Sequence, residues 1–289
     1  MAAMLHEIAR AKLNLTLEVK GRRPDGYHEL ESLVAFADFG DRVEFEPGTE
    51  LSLEIDGPFA PSLRTRNNLI RSAAEAAKAV CPDLILGRFR LVKELPIASG
   101  VGGGSADAAA ALRLLAHANK GRLHPNMLVE IAASIGSDVT SCLSSKPALM
   151  TGRGEIVREI SRFPLCGVLL ANPGVELSTA KVYEALDAKP YGPDNRPAES
   201  LPQFDVSFEK LIDYARARGN DLEAPALKLA PIIGEVLALL TEFGPSLTRL
   251  SGSGATCIAL FDSAQEAASA GHALARRQSN WWVKAGSLG

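Results

Sequence analysis

The chain has 289 residues, enough for two domains of ordinary size or for one large domain. Hydrophobic residues make up 46% of it and charged residues 22%, which are the proportions of a soluble globular protein. The formal net charge of −3 provides no basic field for a nucleic acid or an anionic membrane, so neither is expected as a partner.

Cysteine spacing and hydropathy restrict the protein's class further. The four cysteines lie far apart, and neither they nor the five histidines have the spacing of a metal site. Free thiols in a reducing compartment are the simplest interpretation. No segment approaches the ~20 apolar residues needed to span a bilayer, and the N-terminus lacks the apolar core of a signal peptide. We therefore expect a cytoplasmic protein. The sequence leaves its oligomeric state and any metal ligands open.

Strands dominate the first part of the chain. Alternating hydrophobicity predicts a β stretch over residues 5–19, and Pro24-Asp25-Gly26 is a strong turn signal. Further short strands, which favour an antiparallel meander, are predicted at 32–37, 42–46 and 51–55. A helix over 67–80 and a strand ending near residue 95 follow.

Helices dominate the later part. Ser105 is the predicted N-cap of a helix over 106–119, and Pro125 opens a second helix that ends at Gly136. The remaining predicted elements are a hairpin at 146–160, a buried strand at 167–174, helices from 178 and near 207–217, 226–243 and 263–277, strands flanking 252–254, a final strand at 281–287 and an exposed loop at 188–205. This order predicts an α+β protein with two domains, 1–160 and 161–289.

The segment "PIASGVGGGSA", residues 96–106, carries the main functional signal. Glycines let a backbone bend sharply and approach a ligand closely, and a helix that starts directly afterwards adds its positive end. The P-loop pattern fails because no Gly-Lys-Ser/Thr follows, and the dinucleotide pattern fails because Ser105 replaces its third glycine. A structural turn or linker is the alternative, which the flanking strand and helix disfavour. We expect a polyphosphate site made of backbone amides.

Two further residues suit phosphoryl transfer, which needs a positioned nucleophile, a base and positive charge. Lys12 lies in an apolar predicted strand, where a charge is costly unless it is paired. Asp138 lies in "SIGSDVTS", at a predicted helix-to-strand turn. Spacing alone leaves open whether they are catalytic or merely a strand lysine and a turn residue.

Taken together, these segments resemble the GHMP family of small-molecule kinases, whose loop pattern P-x-x-x-G-x-G-G-G-S-[SA] matches residues 96–106 throughout. The narrower similarity is to members that phosphorylate the 2-hydroxyl of a cytidine-diphosphate-linked methylerythritol in the non-mevalonate isoprenoid route. The other matching motifs are "AKLNLTLEV" (11–19), "RPDGYHELES" (23–32), "IGSDV" (135–139), "NPGVELSTAKVY" (172–183), "GNDLE" (219–223) and "LSGSGAT" (250–256). Among these, "RPDGYHEL" is the most specific.

The resemblance implies an S5-like N-terminal domain, a ferredoxin-like C-terminal domain and an active site in the cleft. It implies ATP as phosphoryl donor, with Mg²⁺ expected, and makes Lys12 and Asp138 the catalytic pair. The implied ATP-binding residues are Asn68, Pro96, Ile97, Ala98, Ser99, Gly100, Val101, Gly102, Gly103, Gly104, Ser105 and Ala106. The implied substrate-binding residues are Asn14, Tyr27, His28, Thr179 and Tyr183. Thr140 replaces a common proline and Ala106 a second loop serine, and neither change removes a group that the chemistry requires.

Two alternatives remain open. Another member of the family would phosphorylate homoserine or a mevalonate derivative, against which Tyr27 and His28 speak because they suit a nucleobase. Tyr27 and Tyr183 are predicted to stack on the two faces of the cytosine ring, with His28 at its polar edge. A non-catalytic nucleotide-binding or RNA-binding module is disfavoured by the acidic charge balance and by the presence of Lys12 and Asp138.

Overall fold

A computed structural model describes residues 4–63 and 68–289 of the chain. Over these residues the protein forms eleven strands and nine α-helices, with short 3₁₀ turns at Ala60–Ser62 and Pro193–Asn195. None of the helices in this part of the chain is long and apolar enough to cross a membrane.

The strands and helices alternate along the chain. The strands are β1 (Leu5–Asn14), β2 (Glu18–Arg22), β3 (His28–Gly48), β4 (Ser52–Asp56), β5 (Leu86–Val92), β6 (Ala148–Gly152), β7 (Ile156–Glu159), β8 (Cys166–Asn172), β9 (Leu247–Leu250), β10 (Cys257–Phe261) and β11 (Trp282–Leu288). The helices are α1 (Leu69–Val80), α2 (Gly103–Ala118), α3 (Pro125–Ile135), α4 (Ser137–Ser144), α5 (Thr179–Leu186), α6 (Phe208–Arg218), α7 (Glu223–Leu229), α8 (Ile232–Thr241) and α9 (Ala264–Arg277).

The chain folds into two compact units that are not continuous in sequence. The first unit contains residues up to Ala11, Phe39–Ile97 and Gly102–Ser145, and the second contains Lys12–Asp38, Ala98–Val101 and Lys146–Gly289. The chain passes from one unit to the other within β1 and β3 and within the glycine segment, residues 96–106. The domain boundary predicted near residue 160 remains a proposal.

In the first unit, helices α1 to α4 pack together beside a small sheet. The second half of β3 pairs antiparallel with β5, and β5 pairs parallel with β4. That parallel pair departs from the predicted antiparallel meander, since a helix and a long connection separate β4 from β5. Helix α2 packs against both α1 and α4. Its Ala108–Ala111 stretch is fully buried, because small side chains let neighbouring helices approach closely.

In the second unit, the strand order is β11-β8-β10-β9, all antiparallel. The first half of β3 pairs with β2 and with β6, and β6 and β7 form the predicted hairpin. Helix α9 packs on β8 and β11. A buried apolar cluster, including Leu169, Val236 and Leu274, joins sheet to helices.

Several predicted elements are confirmed, notably α3 over Pro125–Ile135 and the final strand. Others differ for identifiable reasons. β3 continues through Gly40 instead of breaking into two strands. A Cβ at this position would overlap the backbone of Ala9, so only glycine allows the two strands to lie this close together. The predicted helix over 226–243 is two helices, α7 and α8, separated at Pro231, which lacks the N–H that a continuous helix requires.

Helix α1 begins later than predicted. It starts at Leu69, after Asn68 caps it, whereas residue 67, the predicted start, lies outside the described residues.

Candidate active site

The glycine segment enters helix α2 through left-handed backbone. Gly100 has φ of +77° and Gly102 has φ of +63°, conformations that glycine adopts without strain. The helix begins at Gly103, and its N-cap Gly102 provides no side-chain cap. The prediction that Ser105 is the N-cap is therefore wrong, because the left-handed glycine lets the helix start earlier and places Ser105 in its first turn. An uncapped helix start of this kind is suited to bind an anion through N–H groups.

Within the second unit, residues 98–101 are fixed by the turn between β9 and β10. The Ser251 hydroxyl donates to the Gly100 carbonyl at 2.8 Å, and the Thr256 N–H donates to the Ser99 carbonyl at 3.1 Å. A Cβ on Gly100 would overlap the Ser251 carbonyl and lie 2.9 Å from the Gly254 nitrogen. The turn at Gly252–Gly254, whose role the sequence left open, thus supports the glycine segment.

The same unit places Lys12 and Asn14 beside this turn. Lys12 is buried on β1, as predicted, and its N–H donates to the Val101 carbonyl at 2.9 Å. The Asn14 N–H donates to the Ser251 hydroxyl at 3.2 Å, and its side-chain amide donates to the Ser32 hydroxyl at 2.7 Å. Two residues apart on one strand, the Lys12 and Asn14 side chains share a face.

Thr179 also reaches the β9–β10 turn. Its hydroxyl lies 2.8 Å from the Ser253 hydroxyl. The Asn220 amide donates to the carbonyls of Leu250 and Gly252 at 2.9 and 2.8 Å and so holds the turn from the other side. Asn220, Ser251 and Ser253 lie in motifs that resemble the family, but no role was predicted for them. The serine-glycine alternation of the turn was the available signal.

The predicted nucleobase residues lie together in the second unit. The His28 ring stacks on Tyr183, with centroids 4.7 Å apart and planes 26° from parallel. Tyr27 is 56% exposed, and the Arg153 guanidinium lies 4.8 Å from its ring centroid. Burial and then the charge of Arg22 lower the pKa of His28, so its imidazole is neutral at pH 7. The structure pairs Tyr183 with His28, and the sandwich of a base between Tyr27 and Tyr183 stays a prediction.

The first unit contains a buried ion cluster that sequence analysis missed. Lys93 donates to Asp41 Oδ2 at 2.6 Å and to Asp107 Oδ2 at 2.7 Å. Asp41 Oδ1 accepts from the N–H groups of Glu94 and Leu95 at 2.6 and 2.8 Å. We call Asp41, Lys93 and Asp107 the ion cluster. It connects the residues that follow β5 to the second turn of α2. These two places adjoin the two ends of the glycine segment, both of which lie in this unit.

Two carboxylates face one ammonium in the ion cluster. Burial raises the pKa of Asp107 to about 8, although Lys93 opposes the rise; the charge of Asp41 adds to it. Burial alone would lower the pKa of Lys93, but Asp107 and Asp41 outweigh it and the pKa is raised. At neutral pH these raised pKa values keep Lys93 charged and Asp107 mostly protonated. A lysine in an apolar strand and an aspartate within an alanine run were the sequence signals.

Asp138 lies in the first turn of α4 in the first unit. The prediction of a helix-to-strand turn is wrong, because the chain breaks α3 at extended Gly136 and immediately begins another helix. A carboxylate in a first turn interacts favourably with the helix dipole. Lys12, the predicted partner of Asp138, belongs to the second unit.

Asn68 is the N-cap of α1. Its side-chain oxygen accepts from the Ile70 N–H at 2.9 Å, and the residue is buried. Capping explains an asparagine here by itself, and its contact with ATP stays a prediction. Among the residues that the structure describes, no group of three His, Cys, Asp or Glu side chains is placed to hold a metal ion.

Comparison with known proteins identifies the family of the chain. Residues 68–146 match the model of the GHMP kinases N terminal domain, and residues 204–280 match that of the GHMP kinases C terminal domain. A curated relative from Rhodopseudomonas palustris, 4-diphosphocytidyl-2-C-methyl-D-erythritol kinase, is 47% identical over 99% of this chain and 98% of its own.

Solved structures give the same result. A crystal structure of 4-(cytidine 5'-diphospho)-2C-methyl-D-erythritol kinase superposes with a TM-score of 0.78 at 32% identity, covering 99% of both chains. A homoserine kinase from Cytophaga hutchinsonii has a TM-score of 0.71 at 14% identity, covering 100% of this chain and 95% of its own, and so shares the fold alone. The two family models together match more than half of the chain. The chain therefore belongs to the GHMP kinases, beside the 4-diphosphocytidyl-2-C-methyl-D-erythritol kinases, and has the two-domain α+β fold of that family.

Proposed function

We propose that this chain transfers the terminal phosphoryl group of ATP to the 2-hydroxyl of 4-diphosphocytidyl-2-C-methyl-D-erythritol, in the non-mevalonate route to isoprenoid precursors. Similarity to relatives of that name extends over essentially the whole chain. The structural observation that carries the proposal is the start of α2, which leaves left-handed Gly102 without a side-chain cap. This is the geometry of a phosphate site.

The glycine segment binds the triphosphate through backbone amides between Gly100 and Ser105. Such a site needs no Walker lysine, because helix N–H groups and the helix dipole supply the positive charge. Ser251 and Thr256 support this role, since they donate to the carbonyls of Gly100 and Ser99 and so fix the backbone of the segment.

Asp138 acts as the base that accepts or orients the proton of the attacking hydroxyl. It lies in the first turn of α4, and a carboxylate is one of the side chains that serve as a general base. Lys12, buried on β1, holds the hydroxyl and stabilises the charge that develops on it.

Mg²⁺ is the expected companion of ATP. Ser105 fits it, because its hydroxyl is a hard oxygen donor in the partly exposed first turn of α2. Phosphate oxygens would supply most other ligands, and the cation would neutralise charge on the transferring group.

Substrate recognition is assigned to the second unit. His28 and Tyr183 provide a stacked aromatic pair, with Tyr27 exposed nearby along the chain, and Asn14 and Thr179 add polar groups. A neutral imidazole is able to donate or accept one hydrogen bond at the edge of a cytosine ring.

A product assay with ATP and three alcohols tests the proposal. Phosphate is expected on the cytidyl diphosphate of methylerythritol and not on homoserine or mevalonate. Asp138→Asn is expected to lower kcat by ~10²–10⁴-fold while ATP still binds. Preferential phosphorylation of homoserine or mevalonate would overturn the substrate assignment, and absence of turnover with every alcohol would favour a non-catalytic nucleotide-binding module.

A further inference from the structure

Arg113 on α2 makes an unusual set of contacts within the first unit. Its Nη1 donates to the carbonyls of Cys142 and Leu143 at 2.7 and 3.2 Å, in the last turn of α4. Its Nε donates to Glu7 Oε2 on β1 at 2.6 Å. One guanidinium thus connects three elements of the unit.

The contact with α4 satisfies a specific need of that helix. The last carbonyls of any helix lack intrahelical partners and carry partial negative charge. α4 has only eight residues, so its end groups are a large share of its backbone. The planar guanidinium offers several donors in fixed geometry, which a lysine would not. Arg113 therefore fixes the C-terminal end of α4 against α2.

The opposite end of α4 carries Asp138, within its first turn. Because so short a helix moves as one body, a shift at its C-terminal end displaces Asp138 as well. α2 begins at the glycine segment and carries Arg113 farther along. The same side chain is anchored by Glu7 on β1, the strand that also carries Lys12.

We propose that Arg113 is a positioning residue for phosphoryl transfer, which holds α4 in place on α2 so that Asp138 keeps its productive position. The proposal rests on the proposed function of Asp138. Reaction rates respond steeply to such placement, since a displacement of about 1 Å can cost ~10²-fold. Loss of Arg113 should therefore affect the chemical step more than nucleotide binding.

The primary test compares Arg113→Met with Arg113→Lys. The methionine variant is expected to lower kcat about tenfold or more, while the dissociation constant of ATP, measured by calorimetry, changes less than about twofold. The lysine variant retains charge at the helix end and should recover part of kcat. Arg71→Met is the matched control, because Arg71 on α1 forms an exposed ion pair with Glu75. Equal losses in kcat and ATP affinity would overturn the proposal.

A double-mutant cycle with Asp138→Asn shows whether Arg113 acts through Asp138. Arg113→Met should add little in the Asp138→Asn background, since residues that act as a unit are not additive. The same fold-loss in both backgrounds would overturn the proposal. If Asp138→Asn itself keeps full kcat, the proposed role of Asp138 fails instead, so the two failures are distinguishable.

Hydrogen exchange gives a readout that does not depend on activity. Arg113→Met should increase exchange of the α4 amides selectively, and unchanged protection there would overturn the proposal. Glu7→Gln serves if the methionine variant does not fold. It keeps the guanidinium but loses the ion pair. Its kcat is expected to fall less than that of Arg113→Met, and its ATP affinity is expected to stay unchanged. A Glu7→Gln enzyme with wild-type kcat and wild-type α4 exchange would count against the proposal.

Discussion

The ion cluster and the aromatic surface of Tyr27, His28 and Tyr183 perform different tasks with opposite degrees of burial. Asp41, Lys93 and Asp107 are all nearly inaccessible to water and hold one another at 2.6 and 2.7 Å. Tyr27, in contrast, is more than half exposed, and His28 meets Tyr183 through a single stacking contact.

This difference follows from what each region must do. A buried charge has no water to replace a lost partner, so the ion cluster tolerates only one geometry. A single fixed geometry suits residues that anchor the two ends of the glycine segment. A partly exposed aromatic surface gains modest energy from each contact and adjusts to a ligand. We therefore expect changes in the ion cluster to alter folding, and changes in the aromatic surface to alter substrate affinity alone.

The largest effect is expected for Lys93→Met. Removing the ammonium leaves two buried carboxyl groups without their cation, and breaking a buried pair in this way costs about 3–5 kcal/mol. The free energy of unfolding, measured with urea, should fall by that amount. Arg71→Met removes an exposed ion pair and should change it by less than about 0.5 kcal/mol. Similar small changes in both variants would show that the ion cluster is not a structural requirement.

A smaller, pH-dependent effect is expected for Asp107→Asn. In the folded protein the pKa of Asp107 is raised from 3.8 to about 8, so the folded state binds a proton that the unfolded state releases. Its stabilising contribution is therefore complete below about pH 4 and is lost as pH rises toward 8. Asparagine stays neutral, so the variant should lose less stability than the wild type between pH 5 and 8.

Urea unfolding at several pH values measures this difference. It amounts to at most about 1.4 kcal/mol per pH unit, the limit for one proton. Asp41→Asn is the comparison variant. Asp41 accepts two backbone N–H groups and Lys93, and its loss should destabilise the protein at every pH in that range. If the free energy of unfolding changes with pH in the same way in Asp107→Asn and in the wild type, Asp107 is ionised in the folded state.

The smallest effect is expected at the aromatic surface. Tyr183→Ala removes the stacking partner of His28. It should raise the KM for the cytidyl substrate about two- to tenfold, because one aromatic contact contributes about 0.5–1.5 kcal/mol. ATP affinity should change little. Tyr27→Ala tests the exposed ring in the same way. Equal losses of affinity for ATP and for the cytidyl substrate would show that these residues have a structural role. The contrast with the ion cluster would then disappear.

Local signals were sufficient for part of the site. The glycine segment, the buried strand position of Lys12 and the helix at Pro125 were all predictable from neighbouring residues. Local signals misled where two patterns competed. Gly136 indicated the end of a helix but not that another begins at once, so Asp138 was assigned to a turn. Separate strands were predicted at 32–37 and 42–46, where one strand, β3, continues through both.

The sequence by itself determined the family, the α+β class and the residue types of the proposed site, because these depend on motifs and on short-range periodicity. Only the tertiary structure decided which groups support them. Lys93 meets Asp41 across 52 residues, Arg113 meets Glu7 across 106, and Ser251 meets Gly100 across 151. No local pattern specifies such a pair, since the two groups come within hydrogen-bond distance only after distant segments of the chain have folded together.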